Sequence, residues 1–327
     1  MKQIFISGMY KSGTSWLLSI LSAHPDLVGF RELDIIRGLF ETAGHRSSSR
    51  APADRMRQIL GRYPFCRLDA KELGLLASGD RSPLDAPRRN KDEEHATPQR
   101  LLDLPSEVAH GVLEMLLSSE SSEEVARELL GRLSRALPSK SGVVLKSADQ
   151  LPCLGKLREI FPDARKLVVI RDGRDAAVSA FHFRRLMAKK NVPWRTANPE
   201  EVGVVELFKG WLSRIRMLDA EIDKPDVHVL RYEDLSGAFG PQVKSILQWL
   251  ELDASTEVVD AISARTTFAA LAGREPGVER AEVMRKGVVG DWREKLSAED
   301  AAAIWSLGEN ELRRHGYGPD GVLQRAG

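Results

Sequence analysis

The sequence predicts an α/β fold of three layers, in which a central parallel sheet carries helices on both faces. Short apolar segments of strand length alternate with segments of helical periodicity along most of the chain, as in strands joined by helical crossovers. The first apolar segment also runs through a glycine-bounded loop directly into a helix. No internal repeat and no linker rich in Gly, Ser or Pro divides the 327 residues, so we expect one domain over 1–327.

The predicted elements follow from the periodicity of the apolar residues and from helix start and stop signals. Strands are expected from about Ile4 and over 27–30, 142–145, 166–170 and 227–230. Helices are expected from Trp16 to near Pro25 and over 33–42, 106–118, 122–136, 151–161, 175–189, 201–222, 242–250 and 298–314. Ligands of open α/β sheets bind at the carboxyl ends of the strands, so the functional residues are expected there.

Residues 44–135 are expected to form a mainly helical and loop insertion. Within it, 44–52 reads as a loop, and 78–105 is dense in Pro and charged residues with little periodicity. These two segments are either solvated loops or a lid over a site, and the sequence leaves both readings open.

Composition and charge exclude several classes of protein. The net charge of +1 gives no global attraction to nucleic acid or to an anionic membrane. Cys66 and Cys153 lie far apart, so neither a disulfide framework nor a Cys-rich metal site is expected. The first strand begins at about Ile4, which leaves no room for a signal peptide, and no apolar run approaches the ~20 residues of a membrane span. We therefore expect a cytoplasmic protein.

The loop after the first strand has the features of a phosphate cradle. It is bounded by Gly8 and Gly13, which let the backbone curl so that its N–H groups point inward, and the following helix adds partial positive charge. The common nucleotide loop, G-x-x-x-x-G-K-[ST], places its lysine directly after the second glycine. Here that position is Thr14, and the lysine is Lys11, inside the loop. The pattern predicts a P-loop-like fold that binds a phosphate-like group, with the lysine at a different position of the loop. A glycine turn of this kind also occurs without a ligand.

A second candidate anion site follows the strand over 166–170. Arg171 comes at its tip, and Ser179 follows eight residues later in the next helix, so both could reach one phosphate. An arginine at this point favours an anion, whereas Asp172 keeps open a magnesium ligand of an NTPase. A surface ion-pair cluster is the other reading of Arg171, Asp172, Arg174 and Asp175.

A third basic cluster lies near the end of the chain, at Arg285-Lys286-Gly287. Two cations followed by a glycine form a compact anion nest, because a phosphate can approach the Gly287 N–H without meeting a side chain. Alone, such a triplet would be a solvated loop. Three anion sites in one α/β chain predict a ligand that is phosphorylated at both ends.

Together, these three segments resemble the sulfotransferases that use 3′-phosphoadenosine 5′-phosphosulfate (PAPS). The loop over 10–16 is similar to the family's 5′-phosphosulfate motif P-K-S-G-T-T-W, with Tyr10 in place of the proline. Arg171 and Ser179 match the 3′-phosphate motif at its usual spacing. Residues 285–292 match the R-K-G-x-x-G-D-W element of the cytosolic members.

Two further segments resemble the part of the family's site that holds adenine. Residues 231–235 are similar to the Y-E-D-L segment, and 266–268 are similar to T-S-F. The resemblance implies that PAPS is the donor and that no metal is required. The residues that it assigns to the donor are Lys11, Ser12, Gly13, Thr14, Ser15, Trp16, Arg171, Ser179, Tyr232, Thr266, Phe268, Arg285, Lys286 and Gly287.

The resemblance also implies the reaction, the transfer of a sulfuryl group in line to an acceptor hydroxyl. Charge then builds on the bridging and sulfuryl oxygens, and the protein positions the reactants and stabilises that charge. Lys11 is expected to reach these oxygens. Lys146 stands where the family has a second active-site lysine, 25 residues before Arg171, although it could also be a surface lysine at a strand end. Ser179 completes the predicted catalytic set.

The base that removes the acceptor proton is the main departure from the cytosolic pattern. Those members use the histidine of K-T-H-L-P, but the matching residues 146–152 contain none. Residues 24–32 instead resemble the H-P-D-V-x-x-x-E stretch of the tyrosylprotein sulfotransferases, which makes Glu32 the candidate base. Asp149 and His182 are the alternatives, although His182 is expected to pack against the sheet.

Two other functions stay open at this stage. A P-loop kinase would share the cradle and would require magnesium and ATP, and a non-catalytic nucleotide-binding protein would need neither Glu32 nor Lys146. The expected partner is a small-molecule hydroxyl acceptor, with pocket walls from 33–135 and 181–205. The sequence identifies neither the acceptor nor the oligomeric state.

Overall fold

The computed structural model describes residues 1–31, 121–147, 150–189, 202–280 and 284–322, together with the single positions 108, 111, 115 and 282. Five strands form one sheet in the order β2-β3-β1-β4-β5, and all neighbours pair in parallel. They are β1 (Lys2–Gly8), β2 (Leu27–Arg31), β3 (Gly142–Lys146), β4 (Arg165–Ile170) and β5 (Val227–Arg231). An antiparallel hairpin, β6 (Tyr317–Gly318) and β7 (Gly321–Val322), follows later in the chain.

The helices of the described residues surround this sheet. In chain order they are α1 (Thr14–Ser22), α2 (Ser122–Ala136), α3 (Leu154–Ile160), α4 (Gly173–Lys189), α5 (Val204–Asp219), α6 (Tyr232–Gly237), α7 (Phe239–Trp249), α8 (Thr256–Thr266), α9 (Phe268–Ala272), α10 (Trp292–Lys295) and α11 (Ala298–Arg314). A short 3-10 helix, Leu151–Cys153, precedes α3. None of these helices is long and apolar enough to cross a membrane.

The alternation of side chains along the strands divides the core into two layers. Phe5 of β1 packs into one apolar cluster, and its neighbours Ile4 and Ile6 pack into the other, because successive side chains of a strand point to opposite faces. The first cluster includes residues of α2, α3, α4, α5 and α11, and the second includes residues of α1, α7 and α8. Helices therefore cover both faces of a parallel sheet, which confirms the predicted fold class.

Parallel pairing places the carboxyl ends of the strands at one edge of the sheet. Ile6 of β1 lies opposite Lys146 of β3, and Gly8 lies opposite Val169 of β4. Ile170 at the end of β4 lies opposite Arg231 of β5. The loop after β1, the lysine that ends β3 and the arginine after β4 consequently meet at the same edge, at the point where the strand order reverses.

Most predicted elements within the described residues are confirmed, with shifts at their ends. The helices over 122–136 and 298–314 have the predicted bounds. The helix predicted from 242 begins at Phe239, because Pro241 lies in its first turn, where proline is tolerated. The helix α8 and the short helices α6, α9 and α10 were not predicted. The predicted helix over 33–42, the loops over 44–52 and 78–105 and most of the helix over 106–118 lie outside the described residues.

Candidate active site

The loop between β1 and α1 turns through two residues with left-handed backbone conformations. Lys11 has φ of 65° and Gly13 has φ of 103°. A Cβ atom on Gly13 would lie 2.7 Å from the ring of Tyr232, so the backbone and the ring are in close contact. The hydroxyl of Ser12 donates a hydrogen bond to the carbonyl of Met9 at 2.7 Å and closes the turn. The loop is therefore held in a defined shape from both sides.

The amino end of α1 has the properties of an anion-binding helix terminus. Its N-cap is Gly13, which has no side chain to accept from the first N–H groups, and its first turn contains no acidic residue. Ser12 and Thr14 are buried, whereas Ser15 is exposed. The first N–H groups of a helix carry partial positive charge and lack partners within the helix. This terminus is thus suited to a phosphate group.

Lys11 lies where the three basic segments converge. Its ammonium nitrogen lies 4.2 Å from the ring centroid of Phe183, over the face of the ring. Burial, and after it the positive charges of Arg171 and Arg285, lower the pKa of Lys11 to about 8. A lysine feels two arginines in this way only when the three groups share one site. The structure therefore brings the predicted anion-binding segments together.

Arg171 is clamped at the tip of β4 by groups from three parts of the chain. Its guanidinium donates a hydrogen bond to the carbonyl of Val288 at 2.9 Å and lies 4.3 Å from the ring centroid of Tyr232. The carboxylate of Asp175, in the first turn of α4, lies 3.7 Å from it. The buried Nε atom of Arg171 has no hydrogen-bond partner in the part of the chain that the structure describes.

The loop with the R-K-G triplet is attached to the start of α4. The carboxylate of Asp175 accepts hydrogen bonds from the backbone N–H groups of Gly290 at 2.7 Å and Trp292 at 3.0 Å. Gly287 has φ of 69°, and a Cβ atom there would collide with the ring of Phe268. Asp175 and Phe268 thus hold the loop against the rest of the site.

The cations of this loop are already partly neutralised by carboxylates. Arg285 forms ion pairs with Asp291 and, at 2.5 Å, with Glu279. Lys286 pairs with Asp291 at 2.7 Å and with Glu294 at 2.8 Å, and these hydrogen bonds raise its pKa well above the ordinary value. The Nε atom of Arg285 is buried and has no partner among the described residues. One edge of the Arg285 guanidinium thus remains unsatisfied, like that of Arg171.

An aromatic cluster lies behind the loop of β1. The Trp16 indole donates a hydrogen bond to the carbonyl of Thr266 at 2.6 Å, and its ring lies 5.5 Å from that of Tyr232 and 5.6 Å from that of Phe239. The Thr266 hydroxyl donates to the carbonyl of Ile262 at 2.7 Å, within its own helix. Of the residues predicted at adenine, Tyr232 and Thr266 meet Trp16, and Phe268 meets the R-K-G loop.

Two further predicted residues lie at the same edge of the sheet. Lys146 is buried at the carboxyl end of β3, so it is not a surface lysine. Ser179 is half-buried on α4, nearly two turns from the start of that helix rather than the one turn that the sequence suggested. It follows Asp175 by four residues, which places the two side chains on one face of the helix.

The charged residues after Arg171 form a buried network, so the reading as a surface ion-pair cluster was wrong. Arg174 is 1% exposed, and its guanidinium binds both carboxylate oxygens of Asp172, at 2.9 and 2.7 Å. The same guanidinium donates to the carbonyls of Gly318 and Pro319 in the hairpin. Because both oxygens of Asp172 accept from Arg174, this carboxylate is not positioned as a magnesium ligand. Within the described residues, no cluster of His, Cys, Asp and Glu could hold a metal ion.

Sequence reasoning missed the residues that hold the network in place. Glu233 accepts hydrogen bonds from the Asp172 N–H at 2.9 Å and from the Tyr317 hydroxyl at 3.1 Å. Burial raises the pKa of Glu233 to about 7. The only signal was the position of Glu233 inside the Y-E-D-L segment, next to Tyr232; nothing in the sequence marked Tyr317.

Of the three candidate bases, only His182 lies within the described residues. Glu32 and Asp149 lie outside the described residues, so both stay predictions. His182 is half-buried, and its pKa is lowered first by burial and then by the charge of Arg285. His182 is thus within electrostatic range of the R-K-G loop; the expectation that it packs against the sheet stays a prediction.

Comparison with known proteins identifies the family of this chain. The family model described as "Sulfotransferase family" matches residues 3–256. Sulfotransferase 6B1 of Danio rerio is 28% identical over 155 residues, which cover 45% of this chain and 51% of that protein. Amine sulfotransferase of Oryctolagus cuniculus is 25% identical over 170 residues, which cover 46% of this chain and 55% of that protein.

The chain thus spans about half the length of the curated relatives it matches. A crystal structure of a mouse sulfotransferase complexed with PAP (3′-phosphoadenosine 5′-phosphate, also called adenosine 3′,5′-bisphosphate) has a similar fold. Its TM-score is 0.53 at 16% identity, over 95% of this chain and 84% of that one. With its five-stranded parallel sheet and the match over 3–256, the chain belongs to the sulfotransferase family.

Proposed function

We propose that this chain transfers the sulfuryl group of PAPS to a hydroxyl of a small-molecule acceptor, giving a sulfate ester and PAP. The observation that carries the proposal is the convergence of Lys11, Arg171 and Arg285, since the pKa of Lys11 responds to both arginines. Three cations from distant segments in one site are suited to a ligand with phosphate groups at both ends.

The residues present fit such a nucleotide. The buried Nε atoms of Arg171 and Arg285 lack partners among the described residues, although buried polar groups are normally hydrogen-bonded. Both could be satisfied by oxygens of a 3′-phosphate, with Ser179 on the facing side of α4. The open amino end of α1 could receive the 5′-phosphate. Tyr232 and Trp16 offer aromatic surface for the adenine between these ends.

The chemistry supplied by bound PAPS would be a sulfuryl group on a phosphate leaving group. The residues of this chain would stabilise the charge that develops during transfer. The Lys11 ammonium can donate hydrogen bonds to the bridging and sulfuryl oxygens, and the loop N–H groups can hold the phosphate. Lys146, at the end of β3, lies at the same edge and could add a second cation. These groups act by position and charge and require no metal.

The proposals for the base and for the acceptor are drawn from the sequence. Glu32 remains the candidate base, and Asp149 is the alternative. The acceptor is proposed to be a small hydroxylated molecule, enclosed in part by residues of the insertion over 44–135. A cytoplasmic location is proposed from the two widely separated cysteines.

Calorimetric titration of the purified protein with PAP, and separately with magnesium and ATP, tests the donor. We expect PAP to bind and Arg171→Lys to weaken it about ten- to hundredfold, since lysine cannot reproduce a bidentate contact to a charged group. Arg165→Lys, at the opposite end of β4, should bind PAP like the wild type. Binding of magnesium-ATP without binding of PAP would overturn the proposal in favour of a kinase.

The transfer step is tested with radiolabelled PAPS and a panel of phenols, sugars and hydroxylated lipids, with products detected by mass. A gain of one sulfuryl group on at least one acceptor is expected. If PAP binds but no acceptor and not even water receives the label, the chain is a nucleotide-binding protein rather than an enzyme.

A further inference from the structure

One face of α4 follows the whole length of the candidate site. Asp175, Ser179 and Phe183 recur every four residues, a spacing that places side chains above one another along a helix. Asp175 holds the R-K-G loop. Ser179 is the residue that the predicted 3′-phosphate motif pairs with Arg171. Phe183, one turn further, meets Lys11 in the loop of β1. Phe183, the third residue of this series, therefore contacts the lysine that is expected to reach the sulfuryl oxygens.

The contact between Phe183 and Lys11 has the geometry of a cation–π interaction. The ammonium nitrogen lies 4.2 Å from the ring centroid, well within the ~6 Å range over which an aromatic face attracts a cation. The ring edge of Tyr10 packs against Phe183, with centroids 6.0 Å apart and planes at 74°. Phe183 is thus oriented by a neighbour from the same loop that carries Lys11.

Lys11 needs such a partner because its surroundings oppose its charge. It faces Arg171 and Arg285, and it forms no ion pair with a carboxylate in the part of the chain that the structure describes. Its backbone also has φ of 65°, a conformation that lysine adopts only at a cost in free energy. The loop thus directs a lysine into a positively charged site in spite of both penalties.

An aromatic ring can stabilise this ammonium without accepting the N–H hydrogen bonds that a ligand needs. A carboxylate in its place would neutralise the charge and accept the N–H groups that a ligand needs. The face of Phe183 attracts the cation through its quadrupole and cannot take a proton. The N–H groups of Lys11 that point away from the ring can then donate to an anionic ligand.

We propose that Phe183 is a positioning residue, which holds the charged Lys11 side chain over its ring at the reactive end of the site. The part of this inference that concerns catalysis rests on the proposed sulfuryl transfer. The part that concerns Lys11 itself does not, and it can be measured without donor or acceptor.

Fluorination of the Phe183 ring tests the proposal while it preserves the shape of the side chain. Trifluorophenylalanine, introduced at position 183 by nonsense suppression, has a much weaker quadrupole than phenylalanine. We expect kcat/KM for PAPS to fall about tenfold, with the Kd of PAP, which lacks the sulfuryl group, changed less than twofold. Phe183→Tyr keeps the aromatic face and should retain most of the activity, whereas Phe183→Leu should lose as much as the fluorinated protein. Phe181→Leu, on the same helix but beside Arg185 and His182, is the matched control.

A second readout follows the Lys11 amine directly. Its acetylation by a small anhydride, measured by mass spectrometry as a function of pH, reports the fraction of neutral amine. Loss of the ring's attraction disfavours the ammonium, so the fluorinated protein should reach half-maximal reactivity at a lower pH than the wild type. An unchanged acetylation profile, or an equal effect of Phe181→Leu, would overturn the inference. Absence of sulfuryl transfer in the wild type would instead count against the proposed function, and the acetylation result would still decide the role of Phe183.

Discussion

Glu233 accepts a hydrogen bond from the backbone N–H of Asp172 at 2.9 Å. Each of these residues directly follows a member of the candidate site, since Glu233 comes after Tyr232 and Asp172 comes after Arg171. The guanidinium of Arg171 lies over the ring of Tyr232 at 4.3 Å. The hydrogen bond between Glu233 and Asp172 therefore fixes the distance between the Tyr232 ring and the Arg171 guanidinium.

Burial of the Glu233 carboxyl gives the stability of the protein a specific dependence on pH. Burial raises the pKa of Glu233 to about 7, whereas the group in the unfolded chain has its ordinary value of 4.5. The folded protein then holds the proton more tightly, so the contribution of this carboxyl to the free energy of unfolding falls as pH rises from about 4.5 to 7. The full change is on the order of 3 kcal/mol. Glu233→Gln should abolish this component, which urea unfolding at pH 5 and pH 7.5 will measure.

The control is Glu311→Gln on α11. Burial acts on the Glu311 carboxyl too, but its hydrogen bonds and the charges of Arg216 and Arg314 together outweigh burial and lower its pKa. Its contribution is therefore constant between pH 5 and 7.5. We expect this variant to keep the pH dependence of the wild type. Parallel pH profiles for wild type and Glu233→Gln would show that Glu233 titrates at its ordinary pKa.

Asp175 is expected to control PAP binding although it need not touch the nucleotide. Its two oxygens accept from the Gly290 and Trp292 N–H groups, and this holds the loop with Arg285 at the site. Asp175→Ala should weaken PAP about tenfold or more, since two charge-assisted hydrogen bonds are lost. Calorimetry gives the Kd, and the exposed Asp223→Asn is the control. Undiminished affinity would mean that the loop holds its place without Asp175.

The sequence could predict that Lys11 and Arg171 meet, because each follows a parallel strand and such strands end at one edge. Arg285 follows no described strand, so the sequence joined it to them only through the family resemblance. The sequence could not distinguish buried from exposed charges, because Asp172 and Arg174 form the same local pair in either case. Groups distant in sequence bury them, among them the hairpin, Glu233 and Trp292. The short helices α6, α9 and α10 span too few residues for their periodicity to be recognised.

Gly287 should be intolerant of a side chain for two separate reasons. Its φ of 69° is unfavourable for other residues, and a Cβ atom would collide with the ring of Phe268. Gly273 supplies a matched control, because its φ is 63° but nothing lies within 4 Å of a Cβ atom there. Gly273→Ala should therefore cost only the backbone strain, about 1 kcal/mol in the free energy of unfolding, with unchanged PAP binding.

Gly287→Ala should show this cost and, in addition, a loss of PAP affinity of about tenfold, because Phe268 must move away from the loop. Thermal unfolding and calorimetric titration of both variants separate the two effects. Equal behaviour of the two alanine variants would show that the contact between Gly287 and Phe268 has no part in ligand binding.

Binding of PAP should be coupled to the protonation of Lys11. Because the pKa of Lys11 is about 8, part of the population is neutral at slightly alkaline pH. An anionic phosphate near the ammonium favours the charged form, so binding at pH 8.5 should take up a proton, and affinity should decrease as pH rises above about 8. Calorimetry in two buffers of different ionisation enthalpy at pH 8.5 counts the protons taken up. Lys11→Met should bind more weakly and take up none; an equal uptake by this variant would assign the proton to another group.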